Sequence, residues 1–181
     1  GVNVTGADKA TTILDGNAKG RVVSYKADAA YDGSAFTEAG LKNATTWSNL
    51  KITNGKADNA AGAIITKNVT LKNCEISANA TEGKAGGVMC YMGGVIDGCL
   101  IHNNKAASGG GVVMHFIGTI QNSEVYNNTV TGDNASAHSG GINTRTNIEN
   151  IDNDASNMQI LNCKVYGNTA YNIAGVGLNG K

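Results

Sequence analysis

The chain has 181 residues, with 14 basic and 14 acidic side chains and no net charge. Nucleic acid requires a basic face that displaces counterions, and the scattered lysines and arginines here argue against one. No apolar run approaches the length of a membrane-spanning helix, and the chain has 25 glycines and no proline.

In chain order, the sequence opens inside a repeat-like phrase, "VNVTGADKATTILDG". Residues 1–46 are expected to form an entry coil with a long loop over 24–44. From Trp47 one phrase then recurs. It reads Trp47-x-x-Leu50-x-Ile52-x-x-Gly55, Leu71-x-x-Cys74-x-Ile76-x-x-Asn79, Ile96-x-x-Cys99-x-Ile101-x-x-Asn104, Ile120-x-x-Ser123-x-Val125-x-x-Asn128 and Ile160-x-x-Cys163-x-Val165-x-x-Asn168. The β-branched positions are 24, 25, 24 and 40 residues apart. A second phrase keeps step with the first: Gly62-Ala63-Ile64, Gly86-Gly87-Val88, Gly110-Gly111-Val112, Gly140-Gly141-Ile142 and Ala174-Gly175-Val176. A fixed period of this size marks a solenoid. Regular coils are expected over 47–142, an inserted loop over 143–156 and a truncated last coil over 157–181. The chain stops inside another repeat phrase, "GVGLNGK", so it reads as one domain cut from a longer solenoid.

A leucine-rich repeat shares the spacing of the first phrase. It returns through a leucine-bearing helix or its equivalent, yet the chain has only seven Leu. Here the return carries Gly-Gly pairs followed by alternation, as in Val88-x-Cys90 and Val112-x-Met114, which is strand chemistry. The expected fold is therefore all-β, a single-stranded right-handed parallel β-helix with coils of about 24 residues. Equivalent residues then stack in columns about 4.8 Å apart. Inward columns are Leu71/Ile96/Ile120/Ile160, Cys74/Cys99/Ser123/Cys163, Ile76/Ile101/Val125/Val165 and Ile64/Val88/Val112/Ile142/Val176. Asn79, Asn104, Asn128 and Asn168 form a polar column. There asparagine tolerates left-handed backbone and bonds to the next coil.

The Val/Ile-x-x-Asn phrase followed by Gly-Gly-Val/Ile resembles the paired F-x-x-N and G-G-A-[ILV] motifs of the chlamydial-type polymorphic outer-membrane proteins. More broadly it is similar to right-handed parallel β-helix passenger and adhesin repeats of bacterial surface proteins. The resemblance covers Trp47 to Leu178, and "TTILDG" at 11–16 looks like the entry coil of such proteins. This chain differs in using Ile or Val for the motif's Phe and for its Ala. The resemblance implies a secreted or surface-displayed module used for adhesion or glycan binding. The pectate-lyase-like superfamily shares the fold, so the alternative is part of a carbohydrate-active enzyme with catalytic coils outside this piece. A purely structural stalk is the third reading.

Candidate chemistry is sparse. Cys74, Cys99 and Cys163 share an inward column and read as small buried thiols, and Cys90 lies in another. No cysteine spacing suits zinc, no cofactor motif is present and no catalytic set stands out. The outward column Lys51/Glu75/Leu100/Glu124/Lys164 carries no acid pair of the glycosidase kind. His138 and Arg145 are expected near one turn, without a third partner. "DNDASN" alternates oxygen ligands, which makes Asp152 and Asp154 a calcium candidate, though it lacks the glycine and terminal glutamate of an EF-hand. Two outward stripes carry binding potential. His102, Tyr126 and Tyr166 follow the buried Ile/Val and are ligand-binding candidates, because flat rings stack on sugars. Ile65, Met89 and Val113 make an apolar stripe that is expected to be covered by segment 24–44 or by a partner. Expected partners are a glycan, a host or neighbouring surface protein, and further copies of the chain end to end.

Overall fold

The computed structural model describes residues 3–24, 44–91, 93–133, 138–145 and 158–179. These build a parallel β-helix without a helix among them. Each coil contributes one short strand to each of three six-stranded, all-parallel sheets. Sheet A stacks Val4–Thr5, Thr45–Ser48, Val69–Lys72, Val95–Asp97, Gly118–Gln121 and Met158–Leu161. Sheet B stacks Ile13–Asp15, Lys51–Thr53, Glu75–Ser77, Leu100–His102, Glu124–Tyr126 and Lys164–Tyr166. Sheet C stacks Val23–Ser24, Ala63–Thr66, Val88–Tyr91, Val112–His115, Ile142–Arg145 and Val176–Asn179. A two-stranded pairing of Lys105–Ala106 with Thr129–Val130 lies between sheets B and C in sequence.

The recurring phrase sets the register. Trp47, Leu71, Ile96, Ile120 and Ile160 are partners in sheet A. Ile52, Ile76, Ile101, Val125 and Val165 are partners in sheet B. Both columns enter one core with Val88, Val112, Met114 and Ile142 of sheet C. Each such side chain contributes about 1.5–3 kcal/mol on burial, and only stacked neighbours provide that burial. Cys74 and Cys99 lie in the same core. Ser123 takes the place of a thiol in their column and accepts the Cys99 N–H at 3.0 Å.

From the second coil on, the corner between sheets A and B turns on left-handed residues that are Asn or Gly: Asn49, Asn73, Gly98, Asn122 and Asn162. The corner after sheet B turns on Asn54, Ala78, Asn103, Asn127 and Gly167. The left-handed conformation was expected at Asn79, Asn104, Asn128 and Asn168. It sits one residue earlier, which frees those asparagines for bonding. Asn79, Asn104 and Asn128 each donate from both the backbone N–H and Nδ2 to the Oδ1 of the next asparagine, for example Asn104 to Asn128 at 3.0 Å for each bond. The second Nδ2 hydrogen goes to a strand carbonyl of the coil before, Ile76 in the case of Asn104.

In sheet C the first pairing is shifted by one from expectation. Ala63, not Ile64, pairs with Val88, so Ile64 pairs with Met89 and Ile65 with Cys90. The sequence "GAIIT" presents adjacent apolar residues, so alternation alone does not choose its inward face. The expected inserted loop also starts later, because Asn143, Thr144 and Arg145 complete a sheet C strand. Loop 25–43 and residues 146–157, with Asp152 and Asp154, lie outside the described residues.

Candidate binding face

Sheet B presents two outward columns. The residue before each buried Ile or Val gives Lys51, Glu75, Leu100, Glu124 and Lys164, and the residue after it gives Thr53, Ser77, His102, Tyr126 and Tyr166. The register therefore brings together the three expected ring-bearing residues. His102 and Tyr126 stack with centroids 4.7 Å apart and planes 9° apart. Tyr126 and Tyr166 stack at 5.1 Å and 4°. These separations are those of successive coils, so the rings take up much of one another's faces and turn their edges outward. Tyr166 is 48% exposed, while His102 and Tyr126 are half-buried.

Two glutamates border the rings. Glu75 lies 2.8 Å from Lys51 Nζ, accepts the Ser77 hydroxyl at 3.2 Å and lies 3.4 Å from His102 Nε2. Burial opposes ionisation of Glu75, but Lys51, Ser77 and His102 outweigh it and hold the carboxyl below its ordinary range. Glu124 accepts Lys164 Nζ at 3.1 Å and the Tyr166 hydroxyl at 3.0 Å, and both contacts lower its pKa. Burial pulls His102 below the usual imidazole range, against the attraction of Glu75. Asn103 Nδ2 lies 2.9 Å from His102 Nδ1, which fits a neutral ring carrying its proton on Nε2 beside Glu75. Tyr126 is raised by burial and by Glu75 and Glu124, and Tyr166 by its bond to Glu124, so both keep their hydroxyl protons. Neither glutamate suits a glycosidase general acid, which needs a raised pKa.

The expected apolar stripe on sheet C is not an open surface. Ile65 points inward and belongs to the core. Met89 and Val113 do face outward, but the turns before the glycine pairs fold back over them. Ala60 and Ala85 close a second small core with Met89 and Val113, and Ile64 packs against it. A partner-binding role for Met89 and Val113 would need this layer to open, and Ile65 lies on the other face of the sheet.

All four cysteines are free, and Cys90 is pushed up to about 12 by burial, which makes it inert at neutral pH. Among the described residues no group of three or more His, Cys, Asp or Glu side chains is placed to hold a metal, and no helix is long and apolar enough to cross a membrane. His115, at the end of a sheet C strand, stacks on Tyr91 at 5.6 Å and meets Phe116 edge-on at 5.9 Å. Burial, then Arg145 and Lys84, lower its pKa from 6.5 to about 4.

That shift sets a pH dependence. The unfolded chain binds the His115 proton more tightly, so the contribution to stability is complete above pH 6.5 and is lost as pH falls towards about 4. The loss is on the order of 2–3 kcal/mol. Urea midpoints for the wild type and His115→Phe, measured at neutral pH and near pH 4, should show the wild type losing more by that amount. Equal losses would show that His115 does not titrate in this way.

No family model matches the chain, and no curated protein or solved structure matches it.

Proposed function

We propose that the chain is a non-catalytic binding module of a secreted or cell-surface β-helix protein, and that it takes a glycan along sheet B. The observation that carries this reading is the ring ladder His102–Tyr126–Tyr166 beside two glutamates already charged and oriented by lysines. Ring edges and the exposed Tyr166 supply apolar surface for sugar C–H groups, and Glu75, Glu124 and the tyrosine hydroxyls supply partners for sugar hydroxyls. Three coils span about 10 Å, near the length of two sugar units. Tyrosine loses little side-chain entropy on binding. The likeness of the repeat phrases to those of bacterial surface β-helices favours display outside the cell. The carbohydrate-active enzyme reading gains nothing from Glu75 and Glu124, which both stay ionised.

A glycan array with the wild type and a Tyr126→Ala/Tyr166→Ala variant tests the assignment. The variant is expected to stay folded, because ring pairs of this kind contribute only about 0.5–1.5 kcal/mol each. It should lose the glycans that the wild type retains. A wild type that retains none, or a variant that retains the same set, would remove sheet B as the binding face and leave the structural-stalk reading in its place.

A further inference from the structure

The outer side of sheet C gathers basic side chains. His115 and Arg145 are register partners, and Tyr91 precedes them in the same column. The turns folded back over this sheet bring two more bases. Lys84 is bridged to Ser108 in the next coil, and the His138 backbone N–H donates to the Ser108 hydroxyl at 3.4 Å. The charges of Arg145 and Lys84 reach the two histidines. Lys84 is lowered by the surface it lies against and by Arg145, and His115 and His138 are lowered by burial and then by Arg145 and Lys84. Among the described residues no carboxylate forms an ion pair with any of the four. His115 Nε2 is buried and has no hydrogen-bond partner.

Basic groups gathered on one face repel one another at a cost to the fold, and perturbed titratable groups of this kind concentrate at functional sites. We propose that Lys84, His115, His138 and Arg145 form a site for one oxyanion, the carboxylate or sulfate group of an acidic sugar. The arginine fork matches either group with two parallel bonds, lysine adds a point charge and the imidazoles add N–H donors. Phe116, in edge contact with the buried Tyr91 at 5.5 Å and 83°, lies beside His115 and offers apolar surface to the sugar ring. With zero net charge on the chain, the compact cluster suits one anionic group rather than a run of phosphates. The site is on a different sheet from the ring ladder and does not depend on the role proposed for that ladder.

The test measures binding of heparin, dextran sulfate, polygalacturonate, uncharged dextran and single-stranded DNA to the full chain at low salt. The wild type should bind at least one of the acidic polysaccharides and ignore dextran. Sulfate-only or carboxylate-only binding identifies which group is recognised. Lys84→Gln/Arg145→Gln should weaken binding by about tenfold or more. Lys56→Gln/Lys105→Gln removes the same charge from exposed lysines of another column and should change binding by no more than about twofold. The first variant should melt no lower than the wild type, because it relieves repulsion. Independently of any variant, saturating acidic polysaccharide should raise the NMR titration midpoints of His115 and His138. Any of four results would overturn the proposal: no binding of the acidic polymers, an equal loss in the lysine control, DNA bound as tightly as heparin, or unmoved histidine midpoints.

Discussion

Asn128→Ala should lower stability by about 3–5 kcal/mol, read as a fall in the urea midpoint at unchanged slope. The Asn128 side chain is fully buried and bonded on every side. Its Oδ1 accepts the Asn104 N–H and Asn104 Nδ2. Its Nδ2 donates to Asn168 Oδ1 at 2.9 Å and to the Ile101 carbonyl at 2.9 Å. Alanine strands a backbone N–H, an amide hydrogen and a carbonyl where water has no easy access, at about 1–3 kcal/mol each before relaxation. Gln159→Ala, at an exposed position on sheet A, is the comparison and should change stability by about 0.5 kcal/mol or less. If both variants gave the same midpoint, the asparagine column would have no part in holding the coils together.

Gly111→Ala is the second large effect, at about 3 kcal/mol. Its backbone is not in the left-handed region, so the demand is for space. An added Cβ would lie 2.7 Å from the Gly141 carbonyl oxygen, 2.8 Å from Val125 Cγ1 and 2.9 Å from Asn128 Nδ2. The first is backbone of the neighbouring coil and the last belongs to the asparagine ladder, so neither yields cheaply. Gly175 occupies the same column in the last described coil and meets nothing within 4 Å. Gly175→Ala should therefore be close to neutral. Thermal melts of the two variants side by side would separate crowding from a general intolerance of alanine in the column. A Gly175→Ala variant as damaged as Gly111→Ala would refute the crowding argument.

The coil register was legible wherever one residue type filled a column. Ile76, Ile101, Val125 and Val165 stack as their spacing predicts, because a one-residue slip would turn the whole set out to solvent. The left-handed corner was legible too, in the Asn-or-Gly column of Asn49, Asn73, Gly98, Asn122 and Asn162. The neighbouring Asn79 column drew that assignment instead. Ile64 and Ile65 were ambiguous because both are apolar and the true inward residue, Ala63, is small. The burial of Met89 and Val113 had no local signal, since Ala60 and Ala85 cover them from turns that look like any other small-residue loop. The sheet B rings and their stacking on one another were both readable from the column, because in-register rings on successive coils lie one coil spacing apart. The basic cluster was half visible. His138 and Arg145 are close in sequence, while Lys84 and His115 reach them only because the coils stack.

The asparagine ladder also gives the solenoid a direction. Every bond between asparagines runs the same way, from Asn79 to Asn104 to Asn128 to Asn168, each side chain accepting on Oδ1 from the coil before and donating to the coil after. A two-fold axis perpendicular to the stack reverses such an arrow, so two solenoids joined end to end by one would meet donor to donor or acceptor to acceptor at this column. Only a head-to-tail neighbour continues the row, and head-to-tail repetition without closure generates a line rather than a pair. The ladder that holds one coil to the next thus favours filaments over symmetric dimers for any association through the ends of the stack.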